Sequence, residues 1–215
     1  MVESKTEAAA PIDFGRLHNR YFALRHGTSR ANELGLIVSD PRNGVGGYFR
    51  LSLEGRNEVR LSAEKAKAQT LFAKELVIMS SDFDRAKESA EIAAAVLGIG
   101  QVMFDQRLRE RFFGTWELKS SVYYQRIWED DALGLTNNHV QSVEHVVEEL
   151  LSFIAELEEK YSDTDILLVS HGDRLQILQA LFDTANPRQH RTAVKHLYPA
   201  EIRLLNKAQE TPAAS

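Results

Sequence analysis

The 215-residue chain contains no cysteine. Disulfide frameworks, thiolate metal sites and a thiol nucleophile are therefore excluded together, and any catalysis rests on other side chains. Long apolar runs are missing as well. The most hydrophobic stretches, such as Ile166–Val169, are strand-sized and far short of the ~20 residues that carry a helix across a bilayer. Neither sign of charge dominates: 26 basic residues stand against 31 acidic ones, a formal net charge of −5. Such a balance offers no electrostatic footprint for nucleic acid or an anionic membrane, so an anionic ligand must be held by local charges. The N-terminus also lacks the basic and apolar regions of a secretory signal. Met1–Pro11 carries Glu3, Glu7 and a run of alanines, and the composition fits the cytoplasm, with an organellar lumen such as the plastid stroma equally compatible.

With 43% of its residues hydrophobic, the chain can bury one sizeable core. The expected organisation is a disordered leader over 1–17, a single domain over 18–206 and a polar tail over 207–215. Short apolar runs at Tyr21–Leu24, Leu76–Met79, Val102–Phe104 and Ile166–Val169 predict buried strands, with Ile202–Leu205 as a final edge strand. Between them, Val143 to Leu157 repeats apolar residues at three- and four-residue steps and predicts a long amphipathic helix. Glu54–Phe72, Arg85–Leu97 and Arg174–Phe182 predict further helices. Alternating strands and helices imply an α/β three-layer sandwich, a mainly parallel sheet with helices on both faces. Two stretches read as irregular, Val38–Arg50 and Glu129–Gln141, and the first, with Gly44-Val45-Gly46-Gly47, is a candidate lid.

Two of the predicted strands end alike. Tyr21–Leu24 runs into Arg25-His26-Gly27, and Ile166–Val169 runs into Ser170-His171-Gly172. Ligands of open parallel sheets bind beyond the carboxyl ends of the strands, so two distant histidines are placed to converge. A glycine after each lets the backbone turn and brings main-chain donors close, and a helix starting there favours an anion. Arg25 ends a buried strand, where a guanidinium is costly unless it meets an anion. Arg85, after the strand Leu76–Met79 and Ser80-Ser81-Asp82-Phe83-Asp84, offers a second planar fork. Glu110, in Leu108-Arg109-Glu110-Arg111-Phe112-Phe113-Gly114-Thr115-Trp116-Glu117, is the candidate proton donor. Aromatic surroundings raise a carboxyl pKa, whereas Arg109 and Arg111 lower it if they point inward.

Taken together these segments resemble the histidine phosphatase superfamily, also called the phosphoglycerate mutase-like family. Its opening is matched by Arg25-His26-Gly27-Thr28-Ser29 and Asn32, its phosphate-binding arginine turn by Ser80–Ala86, its glutamate segment by Leu108–Glu110 and Phe113–Glu117, and its late histidine by Leu167–Gly172. The matches fall in family order from Tyr21 to Leu181. The resemblance implies a phosphoglycerate mutase-like fold. It also implies that His26 is the nucleophile, that Arg25, Arg85 and His171 hold the transferred phosphoryl group, that Ser29 and Asn32 line its pocket, and that Glu110 donates the proton. Thr28, Gly172 and Asp173 join the candidate substrate contacts. Neither a metal nor another cofactor is expected; the expected partner is a small phosphorylated metabolite, with a homodimer left open.

Departures from the family pattern bear on the substrate. Thr28 stands where mutases carry glutamate, Asp82-Phe83 replaces a proline-containing turn, Asp173 follows the second His-Gly, and Val140-Gln141-Ser142 precedes the long helix. Alternatives to a phosphatase are a mutase-type phosphotransferase and a non-catalytic phosphate- or protein-binding relative. A rival from another class reads Asp82-Phe83-Asp84 as the Asp-x-Asp of haloacid dehalogenase-like phosphatases, with Asp82 as nucleophile and magnesium essential.

Overall fold

A computed structural model of the chain describes residues 12–206. The tail expected over 207–215 and most of the expected leader lie outside the described residues. From residue 12 onward the chain is already packed: Ile12 and Leu17 rest against the main core, and Phe14 meets Phe182 edge-on at 4.9 Å between ring centroids. The expected boundary at residue 18 therefore falls too late, because these apolar side chains cover one end of the core.

Five strands form one sheet in the order β3-β2-β4-β1-β5: β1 Arg20–Arg25, β2 Leu76–Ser80, β3 Val102–Phe104, β4 Asp165–Ser170 and β5 Ile202–Leu204. Four run parallel, and β5 pairs antiparallel with β1 at the edge. Among the described residues seven α-helices accompany them: α1 Arg30–Glu33, α2 Pro41–Gly44, α3 Leu53–Ala68, α4 Asp84–Leu97, α5 Tyr124–Ala132, α6 Val143–Lys160 and α7 Gly172–Phe182. Alternation along β1 divides the core. Tyr21 and Ala23 face α6 and α7, where Leu150, Ile154 and Leu178 pack; Phe22 and Leu24 face α3 and α4, where Val59, Ala63, Ala90 and Ala94 pack. Successive strand residues point to opposite faces, so both faces of this sheet are covered. The alanines of α4 keep that helix close to its neighbours, since a small side chain holds the backbones near each other.

The predicted helices shift at their ends. α3 stops at Ala68, and Thr70 beyond it takes a φ of 51°. α7 starts two residues before the predicted Arg174, with His171 as its N-cap. The stretch expected to be irregular over 129–141 begins inside α5, which buries Ile127 together with Asp130 and Asp131. Its inward face is partly acidic, so hydrophobic spacing does not mark it. The stretch over 38–50 contains α2, capped by Asp40, and is tied down. Glu117 accepts from Ser39 N (2.7 Å), Ser39 Oγ (2.7 Å), Asp40 N (3.0 Å) and Asn43 Nδ2 (2.8 Å). Four bonds to one carboxylate fasten the start of this segment, from Ser39 to Asn43, while Gly47 N donates to Asp84 further along.

Candidate active site

Register delivers the two histidines to one place. Arg25 of β1 is paired with Ser170 of the neighbouring β4, and His26 N donates to Ser170 O at 3.0 Å. The imidazoles that follow stand 5.1 Å apart between ring centroids, at 62° to one another. The next strand, β2, places Ser81 beside them: Ser81 N donates to Val169 O at 3.0 Å. Neither Gly27 nor Gly172 has a positive φ. What Gly27 supplies is close approach, because a Cβ there would lie 2.3 Å from Gly55 O at the start of α3. Gly55 is equally constrained, with a Cβ falling 1.9 Å from Thr28 O. The His26 loop is thus seated on α3 backbone against backbone.

Hydrogen bonds fix the ring of His26. Nδ1 lies 2.7 Å from Gly27 O, which calls for a proton on Nδ1 and leaves the Nε2 lone pair outward. Arg85 Nε donates to that Nε2 at 3.1 Å, and Arg85 Nη2 donates to Val38 O at 2.9 Å. Burial first, and then the charges of Arg85 and Arg25, hold the His26 pKa well below its usual value; the ring is neutral. His171 is lowered in the same way, by burial and then Arg85. Its Nε2 is 2.9 Å from Ser81 Oγ, and that hydroxyl also accepts from Phe83 N at 3.2 Å. In the tautomer in which Ser81 donates to His171 Nε2, the hydroxyl proton is spent and the ring hydrogen sits on Nδ1. Phe83, one of the departures from the family pattern, packs its ring edge-on against His171 at 5.4 Å.

Three polar atoms around His26 are buried with no protein partner: Arg25 Nε, Arg85 Nη1 and His171 Nδ1. Native interiors leave few such groups. Arg25 Nε and Arg85 Nη1 are donors, and so is His171 Nδ1 in the tautomer that accepts from Ser81. Arg25 Nη1 is anchored by Leu197 O at 2.9 Å, and burial lowers the pKa of both guanidinium groups. Arg25, His26 and Arg85 line a cavity of about 100 Å³; His171 does not line it and reaches it only through His26, whose ring it meets edge-on.

Glu110 borders that cavity and is buried, with Arg111 N donating to its Oε1 at 3.0 Å. Its loop is pinned from behind, Ser170 Oγ donating to Leu108 O (2.6 Å) and Arg174 Nε to Arg109 O (2.8 Å). Burial, and then the negative charge of Asp173, raises its pKa above the ordinary carboxyl value. The flanking arginines point elsewhere. Arg109 holds Asp82 through bonds of 2.7 and 2.6 Å, and Arg111 holds Asp131 through two of 2.6 Å. Glu110 also borders a second cavity, of about 560 Å³, and no other residue lines both.

Of the remaining predicted residues, Ser29, Asn32, Gly172 and Asp173 line the first cavity. Ser29 and Asn32 cap α1 reciprocally, the Asn32 side-chain oxygen accepting from Ser29 N (3.0 Å) and Oγ (2.8 Å). Thr28 does not line it. Its N–H and hydroxyl both go to Glu58, at 2.8 and 2.9 Å, because the loop turns that side chain toward α3. Asp82 is also absent from the lining, its carboxylate taken by Arg109. Asp173 is held rather than free: Trp128 Nε1 donates to both oxygens at 3.1 Å, and His190 Nε2 stands 3.5 Å away. Burial would raise the Asp173 pKa, but His190 and Arg111 outweigh that and hold it below the usual carboxylate range.

Asp131, Asp173 and His190 bring ligand-type atoms within 4.8 Å of one another. A guanidinium already stands among them, Arg111 Nη1 lying 2.6 Å from Asp131 and 3.7 Å from Asp173. The positive charge that cluster calls for is supplied by the chain. Sequence reasoning missed Ser81 as the partner of His171, and it missed Tyr124, Trp128, Arg191 and His196, which complete the cavity wall. Ser81 sits inside the serine turn already singled out; the other four carry no local pattern.

The sequence profile described as histidine phosphatase superfamily (branch 1) matches residues 21–213. No curated protein matches the chain by sequence. Among solved structures, a mycobacterial glucosyl-3-phosphoglycerate phosphatase in complex with VO3 is 22% identical at a TM-score of 0.70, over 85% of this chain and 88% of that one. YhfR of Bacillus stearothermophilus is 20% identical at 0.70, over 86% and 89%. The alpha-ribazole phosphatase of Shigella flexneri is 19% identical at 0.67, over 87% and 96%. At these identities the structural likeness is one of fold.

Proposed function

The chain belongs to the histidine phosphatase superfamily, branch 1, and on that premise we propose that it hydrolyses a small phosphomonoester through a phosphohistidine formed on His26. The observation that carries the reading is that His26, with its Nε2 held by Arg85, lines one cavity together with the guanidinium groups of Arg25 and Arg85, each of which keeps a buried donor without a partner. A phosphoryl group supplies three peripheral oxygens, and donors set in advance for them stabilise the charge that builds there in the loose transition state.

In the first step the Nε2 lone pair forms a bond to phosphorus as the bond to the ester oxygen breaks. Glu110, whose protonated form is favoured by burial and by the charge of Asp173, gives its proton to the departing oxygen. In the second step the resulting carboxylate takes a proton from water as its oxygen attacks phosphorus, and the P–N bond breaks. Phosphate leaves with both groups restored. Arg85 Nε releases Nε2 at the outset, and its charge remains with the phosphoryl oxygens. Positive side chains fill the role a metal has in other phosphatases.

The test is turnover of a phosphomonoester panel in excess chelator. Wild-type protein is expected to be active and to yield an acid-labile phosphoprotein on rapid quench. His26→Ala is expected to lose both, and Glu110→Gln to slow turnover by ~10²–10⁴-fold, as for a lost general acid. An active His26→Ala protein, or strict dependence on magnesium, would overturn the reading.

A further inference from the structure

The cavity that His26 lines carries a third guanidinium, that of Arg191, with an unusual set of partners. Arg191 lies flat over the Trp128 indole, 3.9 Å from the ring centroid. It donates through Nη1 to Gln176 Oε1, and Nη2 lies 3.3 Å from His196 Nδ1. Among the described residues it forms no ion pair. Other buried or half-buried arginines of this chain do: Arg20, Arg107, Arg109, Arg111 and Arg174 each hold a carboxylate at 2.6 Å. Asp173 feels the charge of Arg191, but it is committed to Trp128, Arg111 and His190.

His196 sharpens the anomaly. Its other nitrogen, Nε2, stands 3.4 Å from Arg25 Nη1, so one imidazole lies between two guanidinium groups. Burial, with Arg191 and Arg25, lowers its pKa, and a neutral imidazole has one acceptor nitrogen and one N–H. It can accept from one arginine only; the other is left with a donor unspent. The fixed mounting of Arg191 is equally specific. Gln176 is fully buried and gives its amide N–H to His190 O at 3.0 Å, so a single side chain holds both the guanidinium and the backbone beside it. Stacking on an aromatic face and bonding to neutral acceptors pre-organise an arginine without neutralising it.

We propose that Arg191, mounted on Trp128 and Gln176, is a second anion subsite that reads a negative group on the leaving portion of the substrate, a carboxylate or a second phosphate near the scissile ester. The inference rests on the phosphatase reading of the same cavity. Arg25, Arg85 and His171 hold the phosphoryl group being transferred. Arg191, which lines the same cavity, meets what remains. The planar fork suits either anion, since both present two oxygens in one plane.

The experiment compares kcat/KM for matched substrates in the same protein sample: 3-phosphoglycerate against glycerol 3-phosphate for the carboxylate, and fructose 1,6-bisphosphate against fructose 6-phosphate for the second phosphate. Wild type is expected to prefer the member with the extra anion in at least one pair by ~10-fold or more, the scale of one hydrogen bond between charged groups. Arg191→Gln is expected to collapse that ratio toward one, and Arg191→Lys to restore part of it. A ratio within one sample is insensitive to partial loss of folded protein. The pair that shows the preference distinguishes carboxylate from phosphate. No preference in wild type in either pair, or a preference that survives in Arg191→Gln, overturns the subsite while leaving hydrolysis intact. Loss of all turnover in wild type, p-nitrophenyl phosphate included, would instead overturn the phosphatase reading beneath it.

Discussion

Two buried clusters of charge sit back to back in this molecule, and they are built on opposite terms. Behind the cavity, Arg111 is bonded twice to Asp131, donates through Nε to Gln141 O (2.6 Å) and lies near Asp173, with hardly any surface exposed. In front, Arg25 and Arg85 have no carboxylate among the described residues and keep Nε and Nη1 without partners. Depth does not separate these arginines; satisfaction does, and on the Arg111 side, among the described residues, only His190 Nε2, 3.5 Å from Asp173, is buried without a hydrogen bond. Burial opposes the charge of Arg111 too, but Asp131 and its neighbours more than restore it, whereas for Arg25 and Arg85 burial wins. A closed network holds a fold together. An open one of the same residue type is completed from outside.

The sharpest way to break the comparison is to truncate one arginine in each cluster. Arg111→Met leaves Asp131 and Asp173 buried without their cation, and removing one partner of a buried pair costs about 3–5 kcal/mol. Urea unfolding is expected to show a loss of that order, a large part of the ~5–15 kcal/mol that folds a typical domain. A loss below about 1 kcal/mol would mean the Arg111 network is not a structural keystone. Arg85→Met is expected to do the reverse. It removes a costly unpaired charge, so stability in phosphate-free buffer should be unchanged or higher, while kcat falls by ~10²–10³-fold, as for one lost transition-state donor. Inorganic phosphate should raise the melting temperature of wild type through binding to the folded state and leave Arg85→Met almost unmoved. An equal shift in both proteins would show that phosphate binds elsewhere.

The same contrast explains how far the sequence could be read. Strands β1 and β4, and the helix after Val143, carry their hydrophobic pattern openly, and Arg25-His26 and Ser170-His171 sit where those patterns stop. Chemistry placed at the ends of apolar runs is legible, because the run fixes where the strand ends. α5 was hidden for the opposite reason. Its buried face includes Asp130 and Asp131, so the spacing that marks an amphipathic helix is interrupted by the acids that serve Arg111. Thr28 sits in the motif, yet Gly27 and Gly55 press its loop against α3 and send its hydroxyl to Glu58; that contact spans thirty positions, and local pattern does not record it. The glycine-rich stretch over 38–50 reads as mobile, whereas Glu117, distant in sequence, fastens it. Arg191 and Trp128 meet only through tertiary packing.

The finest test is on the seam between the clusters, where Asp173 belongs to both. It takes Trp128 and faces His190 and Arg111 on the closed side, and it borders the cavity with Glu110 and Arg191 on the open one. Under the proposed mechanism Glu110 acts as an acid only while protonated, so activity is expected to fall as pH rises through its pKa. Burial is the larger cause of the raised value, and the charge of Asp173 the next. Asp173→Asn keeps the shape and removes that charge, which lets Glu110 ionise more readily. The alkaline limb of the kcat/KM profile is therefore expected to move to lower pH, yet to stay above the range of an ordinary carboxyl group, because burial persists. Titration of the substrate itself is common to both proteins and cancels in the comparison. A variant that loses rate at every pH with the limb in place would confine Asp173 to holding Trp128 and His190, and the seam would belong to the closed cluster alone.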